Sequence, residues 1–445
     1  MNSLSDRLAR RLPFFYGYLM LPIAMLMQLG TSPGQTFAVS AFTPSLLESL
    51  SLTQSRLGLA YMLGTLLAAI PLTFVGPAAD RHGLKRVASI VIAALSLACL
   101  FASSVNGFYG LLAAFFLLRF LGQGSLTLLS GNTTAMWFRN RIGRVSAVLS
   151  IGSAIAFAWV PDLLASTIDA IGWRSTYQTL AAILVVTLLP LVLLLYRNRP
   201  EDLGQFVDGH AGRLSPGHAT ETSDATTTSD ASASELQIEV DPESLTLSQA
   251  ARTGSYYILG LSNVIWAMAG TGVLFYLFTL CEQREMPSDT ASGLFKILGM
   301  TMLAMQLGGG VLADFVRLNR LLGLGTAMVA GSLIWLYLDP SVRGAQVFAG
   351  LFGGGQGMLI SVSGVAWVHF YGRQHLGSIR GAVWCGTVAG SGCGPLIMGW
   401  VNDATGSYDQ AILCFAAAMT PLAIAAWFIR PPQPIDAQAM APNQS

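Results

Sequence analysis

Stretches of about 20 mostly apolar residues, the length a helix needs to cross a hydrocarbon core, recur along this chain from one end to the other. Twelve are read, at 16–42, 56–77, 87–105, 108–130, 144–166, 175–196, 255–280, 290–313, 321–338, 345–368, 378–400 and 410–429. Lipid offers no hydrogen-bond partner to backbone N–H and C=O groups, so each such run has to be helical. Only 11% of residues are charged, against about 25% in a soluble domain. Most of the surface therefore does not meet water, and an all-α, multi-pass membrane protein is expected. A net charge of +1 gives no electrostatic reason for a nucleic-acid partner. The first run is longer than a signal-peptide core and holds Gln28, Pro33 and Gln35, so it reads as a retained helix.

The spans divide into an N-terminal half, 1–196, and a C-terminal half, 253–430, with a tail at 431–445. Between the halves, 197–252 contains "RLSPGHATETSDATTTSDASASELQIEVDPESL". This segment is too poor in apolar residues to build a core and reads as a flexible linker. Lys and Arg are spread unevenly over the connections. One face receives 18, including Arg7, Arg81, Arg86, Arg139, Arg199, Arg320, Arg373 and Arg430; the other receives 4, namely Arg56, Arg174, Arg284 and Arg343. By the positive-inside rule the basic face is cytoplasmic, and both termini and the linker lie there. A multi-pass protein of the plasma (inner) membrane is expected.

Two short stretches echo each other: "GPAADRHGLKR" (76–86) and "GVLADFVRLNR" (310–320). Gly76 matches Gly310, Asp80 matches Asp314 and Arg86 matches Arg320, each pair 234 apart (310 − 76, 314 − 80, 320 − 86). The same offset pairs Gly152 with Gly386, Pro161 with Pro395 and Gly172 with Gly406. The matches fall on residues that control backbone and charge, where chance alignment of apolar helices would match Leu and Ala. Two six-helix halves of the same topology follow, and parallel repeats of this kind are a transporter architecture.

The first stretch resembles the loop 2–3 signature of the major facilitator superfamily, in Gly76, Asp80, Arg81, Gly83 and Arg86. "RFLGQG" (119–124) is similar to that superfamily's helix-4 motif, and "GTVAGSGCGPLIMG" (386–399), with Gly394 and Pro395, to its glycine–proline motif. "YGYLMLPIAMLMQLGTSPGQTFAVSAF" and "HFYGRQHLGSIRG" resemble the monocarboxylate porter and oxalate–formate exchanger branch. The resemblance implies twelve helices, a monomeric transport unit and alternating access. It also implies a gating latch from Gly76, Asp80, Arg81, Gly83 and Arg86, with Gly310, Asp314 and Arg320 as its echo, and a gating role for Gly394 and Pro395. Gly76 is expected to let two helices approach closely.

Two cations, Arg119 and Lys296, lie well inside the spans, where a charge normally faces a cavity or a partner. No carboxylate is read at mid-depth, since Asp162 and Glu282 fall near outer helix ends. The cations therefore favour an anionic solute, and the lack of a buried titratable carboxylate favours exchange or facilitated diffusion over proton symport. Carboxylate carriers of the resembled branch bear a cation on helix 1 and an arginine on helix 8. The aligned positions here are Gln35 and Gln306, which offer hydrogen bonds without charge. Tyr61, Gln356 and Trp384 complete the candidate solute-binding set, with Trp159, Asn263 and Trp266 as weaker members.

The five cysteines, Cys99, Cys281, Cys385, Cys393 and Cys414, show no CxxC or metal spacing. There is no HExxH and no GxxxxGK[ST]. No metal, no cofactor and no enzymatic constellation is expected. The leading expectation is a transporter of small organic solutes, most of all organic anions such as monocarboxylates. Export of amphipathic drugs, or solute sensing on a transporter-like frame, are the alternatives.

Overall fold

The structure is a computed structural model that describes residues 15–138, 142–207, 245–312, 315–372 and 375–430. The expected tail, most of the expected linker, Asp314, Arg139 and Arg373 lie outside these residues.

Twelve helical spans follow in order. Helix α1 runs Gly17–Gly30 and resumes as Thr36–Leu50. Next come α2 (Gln54–His82), α3 (Leu84–Ser103), α4 (Phe108–Trp137), α5 (Ile142–Ile171) and α6 (Trp173–Leu195). The second six are α7 (Gly254–Phe275), α8 (Thr290–Leu312), α9 (Leu318–Leu338), α10 (Val342–Tyr371), α11 (Leu376–Thr405) and α12 (Asp409–Phe428). Several are longer than the apolar runs that announced them. The excess sits at helix ends.

Local chemistry accounts for the boundaries. The Thr53 hydroxyl accepts from the Arg56 N–H at the start of α2, and Thr253 does the same for Tyr256 at the start of α7. Gly83 separates α2 from α3 with φ +85°, a left-handed conformation that glycine adopts without a Cβ penalty. The motif stretch is thus the last two turns of α2, a one-residue corner and the first turn of α3, not a loop.

The first span departs most from expectation: it continues to Leu50 and is broken in the middle. Pro33 lacks an N–H, and Ser32–Gly34 forms a tight turn before Gln35 extends (φ −86°, ψ 144°). The Thr31 and Ser32 hydroxyls donate to the Gln28 and Leu29 carbonyls, which stand in for missing helix bonds. At similar depth α4 widens to π geometry over Arg119–Leu126 and α6 over Leu184–Leu188. The N-half positions α1, α4 and α6 correspond to α7, α10 and α12, which continue as α-helix through the same depth.

Within the N half α2 packs on α4 and α3 on α6; within the C half α8 packs on α10 and α9 on α12. Across the halves α2 meets α11 and α5 meets α8. These two seams are exchanged by the repeat.

Candidate functional site

The polar centre of the N half is built on the broken stretch of α1. Gly34 lies against α4 so closely that a Cβ would overlap the Leu118 carbonyl, and Gly122 faces the Thr31 carbonyl and Gly34 in turn. This backbone-to-backbone fit needs glycine on both sides. It brings Arg119, near the middle of α4, onto the start of the second α1 segment. Arg119 Nη1 donates to the Gly34 carbonyl at 3.3 Å and to Thr36 Oγ1 at 3.4 Å. Its Cζ lies 4.8 Å from the Tyr61 ring centroid, a cation–π distance. Tyr61 OH and Thr36 Oγ1 are 2.7 Å apart.

Arg119 is 5% exposed, no carboxylate pairs with it among the described residues, and its Nε is buried without a partner. Gln35, half-buried beside it, donates to Thr31 Oγ1 at 3.1 Å. Phe275 of α7 brings the other half into contact, its ring 4.6 Å from Tyr61. Arg119, Tyr61 and Gln35 therefore gather at one place. Thr36 and Phe275 join them, unannounced by charge or motif.

The remaining candidates do not join this centre. Lys296 pairs with Asp162 of α5 at 2.7 Å. This corrects the expectation that Asp162 sits at a helix end: α5 runs on to Ile171, so Asp162 is about 13 Å inside it at 1.5 Å per residue. The Lys296 charge is compensated, and of the two interior cations only Arg119 adds unpaired positive charge. Gln306 donates to Ser150 Oγ across the same seam at 3.2 Å. Gln356 is half-buried on α10, and Trp384 and Trp159 are exposed. Asn263 donates within its own helix to the Leu259 carbonyl.

Among the described residues, the α2–α11 contacts cluster at the sparsely charged face. Asp403 accepts from the Gln54 and Ser55 N–H groups at 3.1 and 2.8 Å, where the α2 dipole favours an anion. Tyr276 OH donates to the Gln54 carbonyl at 2.6 Å. Gly58 packs on the Pro395 and Leu396 backbone, Gly399 on the Gln54 carbonyl, and Cys393 Sγ is 3.8 Å from Met62 Sδ. Gly394 abuts Met268 and Gly272 of α7, so α11 is held between both halves at its glycine–proline segment. On the α5–α8 seam Gly299 lies against Ala154 and Ala158, and Phe157 faces Phe295 at 5.6 Å.

Toward the basic face the α2–α11 seam carries no comparable contacts among the described residues. Asp80, Arg81, Arg86 and Arg320 are exposed, and Asp80 has no hydrogen bond or ion pair among the described residues. Nothing lies within 4 Å of a Cβ placed on Gly76, so the expected close approach there is absent. At Gly310 only Ser361 Oγ comes near, at an ordinary 3.5 Å. The Gly83 corner instead docks on Asn198, whose Oδ1 accepts from the Lys85 N–H at 2.8 Å. Asp403 had a signal in the sequence: the offset that pairs Gly172 with Gly406 also pairs Asp169 with Asp403 (403 − 169).

The sequence profile of the Major Facilitator Superfamily matches residues 24–351. No curated protein sequence matches the chain. Among solved structures, the fold is similar to a bacterial homologue of the human lysosomal transporter Spinster in its inward-facing, unoccupied conformation. The TM-score is 0.68 at 12% identity, over 93% of this chain and 96% of that one. The occupied inward-facing form of that homologue gives the same values. The nucleoside transporter NupG follows, with TM-score 0.66 and 15% identity over 92% and 98% of the two chains.

Proposed function

The chain belongs to the Major Facilitator Superfamily, a superfamily of membrane transporters, and on that premise we propose that it carries small organic anions, of the monocarboxylate class, by alternating access. The observation that carries the solute class is Arg119: a guanidinium near the middle of α4, buried, with no carboxylate partner among the described residues and one N–H unsatisfied. A carboxylate arriving beside Gln35, Thr36 and Tyr61 offsets that charge and gains a charge-assisted hydrogen bond. The two glutamines where the resembled branch has cations leave Arg119 as the charge that selects.

The conformational reading rests on where the halves touch. Toward the sparse face, taken as extracellular, Asp403 binds α2 and Lys296 pairs with Asp162; at the basic face, taken as cytoplasmic, Asp80 has no hydrogen bond or ion pair among the described residues. This is the inward-facing member of the cycle. The residues around Asp80 form the latch of the outward-facing member, and the transport unit is a monomer. Solute moves by exchange or down its own gradient, with Lys296 balancing the Asp162 carboxylate while no solute is bound.

The test is binding and counterflow with protein purified and reconstituted in liposomes, using a panel of monocarboxylates, nucleosides, sugars and amphipathic amines. Monocarboxylates should stabilise the protein against heat and exchange across the bilayer, and Arg119→Gln should weaken both effects. A neutral or cationic compound as the tightest ligand, indifferent to that substitution, would replace this reading with amphipathic export.

A further inference from the structure

We propose that the Lys296–Asp162 pair is a lock opened by the solute: Lys296 exchanges the Asp162 carboxylate for the carboxylate of an arriving anion, and the α5–α8 seam is released. The inference rests on the anionic reading above and assigns its entry step.

Position is the first argument. Gly299 packs so tightly on α5 that a Cβ would stand 2.8 Å from the Ala158 Cβ and 3.0 Å from the Ala154 carbonyl. No solute passes there while the helices stay in place. Lys296 and Asp162 lie on the sparse-face side of that constriction, with side chains 41% and 43% exposed. An anion coming from that side reaches the ammonium before it reaches the constriction.

Exchange chemistry is the second. A lysine ammonium is a compact point charge with three donors and no fixed fork, so it accepts a replacement carboxylate without a geometric demand. Neither side chain is sealed off by protein, so a second carboxylate can approach the ammonium without unpacking the seam. A solute carboxylate of the same chemistry therefore competes on near-equal terms. Lys296–Asp162 is also the one ion pair across the halves among the described residues; the other, Arg284–Asp409, lies within the C half. Its exchange takes away the charge attraction that holds α5 to α8 among the described residues, and differential binding to the released state then shifts the equilibrium.

The contrasting seam supports the assignment. On α2–α11 the carboxylate of Asp403 is bound by backbone N–H groups of Gln54 and Ser55. Among the described residues, no cation takes part in that contact for an anion to capture. The repeat relates the two seams, yet among the described residues the ion pair between halves, with its exchangeable ammonium, is on α5–α8.

Cys393 is a native reporter, half-buried against Met62 in the α2–α11 seam. With Cys99, Cys281, Cys385 and Cys414 changed to alanine, a membrane-impermeant maleimide added to the sparse-face side labels Cys393 only when the halves part there. Asp162→Asn and Lys296→Gln should each raise the labelling rate several-fold without solute. The charge-reversed pair, Asp162→Lys with Lys296→Asp, should return it to the starting value, which also controls for misfolding. Benzoate, lactate or pyruvate should accelerate labelling in the starting protein and in Asp403→Asn, but not in Lys296→Gln. Unchanged labelling in both single variants, or an undiminished monocarboxylate response in Lys296→Gln, overturns the lock. If monocarboxylates bind through Arg119 yet leave labelling unaltered, the lock fails and the anionic reading stands. If none binds at all, the anionic reading fails and the lock falls with it.

Discussion

Arg119 has two tasks that substitution can separate. One N–H group closes the α1 break on the Gly34 carbonyl; the rest of the guanidinium holds the charge beside Thr36 and Tyr61. A hydrogen bond to a charged group contributes about 1.5–3 kcal/mol, and about 1.4 kcal/mol is tenfold in affinity. Arg119→Gln should therefore weaken monocarboxylate binding on the order of tenfold or more, read by titration calorimetry. Arg119→Lys should recover little, because a single ammonium cannot reach the Gly34 carbonyl and also present a planar fork to the solute. Full recovery by lysine would mean that charge alone matters.

At the scale of helices, the glycines divide by what stands opposite them. Gly34→Ala drives a methyl into the α4 backbone at Leu118. Overpacking there costs about 1–3 kcal/mol or more, so the melting temperature in detergent should fall and yield should drop. Gly83→Ala forces a Cβ onto a residue at φ +85°, with Asn198 Nδ2 3.1 Å away. A residue held in such a sparsely populated region costs about 1–3 kcal/mol. Gly76→Ala should behave oppositely. Gly76 lies within helix with open space around it, and alanine gains up to about 1 kcal/mol of helix propensity. A stability loss at Gly76 as large as at Gly83 would show that another conformation packs α2 closely there.

For the whole molecule, the two faces should govern different parts of the cycle. Asp80 makes no hydrogen bond or ion pair among the described residues, while toward the opposite face Asp403 binds α2 and Lys296 pairs with Asp162. Asp80→Asn should slow transport by destabilising the outward-facing state while leaving equilibrium solute affinity within a few-fold. Parallel measurement of uptake rate and binding decides it: a large affinity loss with normal cycling would make Asp80 a ligand and not a latch. Asp403→Asn removes the charge at the α2 N-terminus, an interaction of about 0.3–1 kcal/mol. It should raise sparse-face labelling of Cys393 modestly.

The twelve-helix fold could be read from the chain alone, because length and hydropathy are properties of each segment by itself. The repeat was legible for the same reason, since glycine, proline and aspartate at helix ends act on their own backbone. The α1 break was visible as Ser32, Pro33 and Gly34 but was absorbed into one run, because apolar residues continue on both sides of it. What a given side chain meets was not legible. Lipid is as apolar as leucine, so a membrane helix carries no sharp contrast between its packed and outward faces, and periodicity does not reveal its rotation. Whether Lys296 stands alone or beside Asp162, and whether Gly76 or Gly34 touches a neighbouring helix, depends on rotation and on how the halves are set against each other. Only the tertiary structure decided those contacts, because they join residues far apart in the sequence through helix faces that the solvent leaves unmarked.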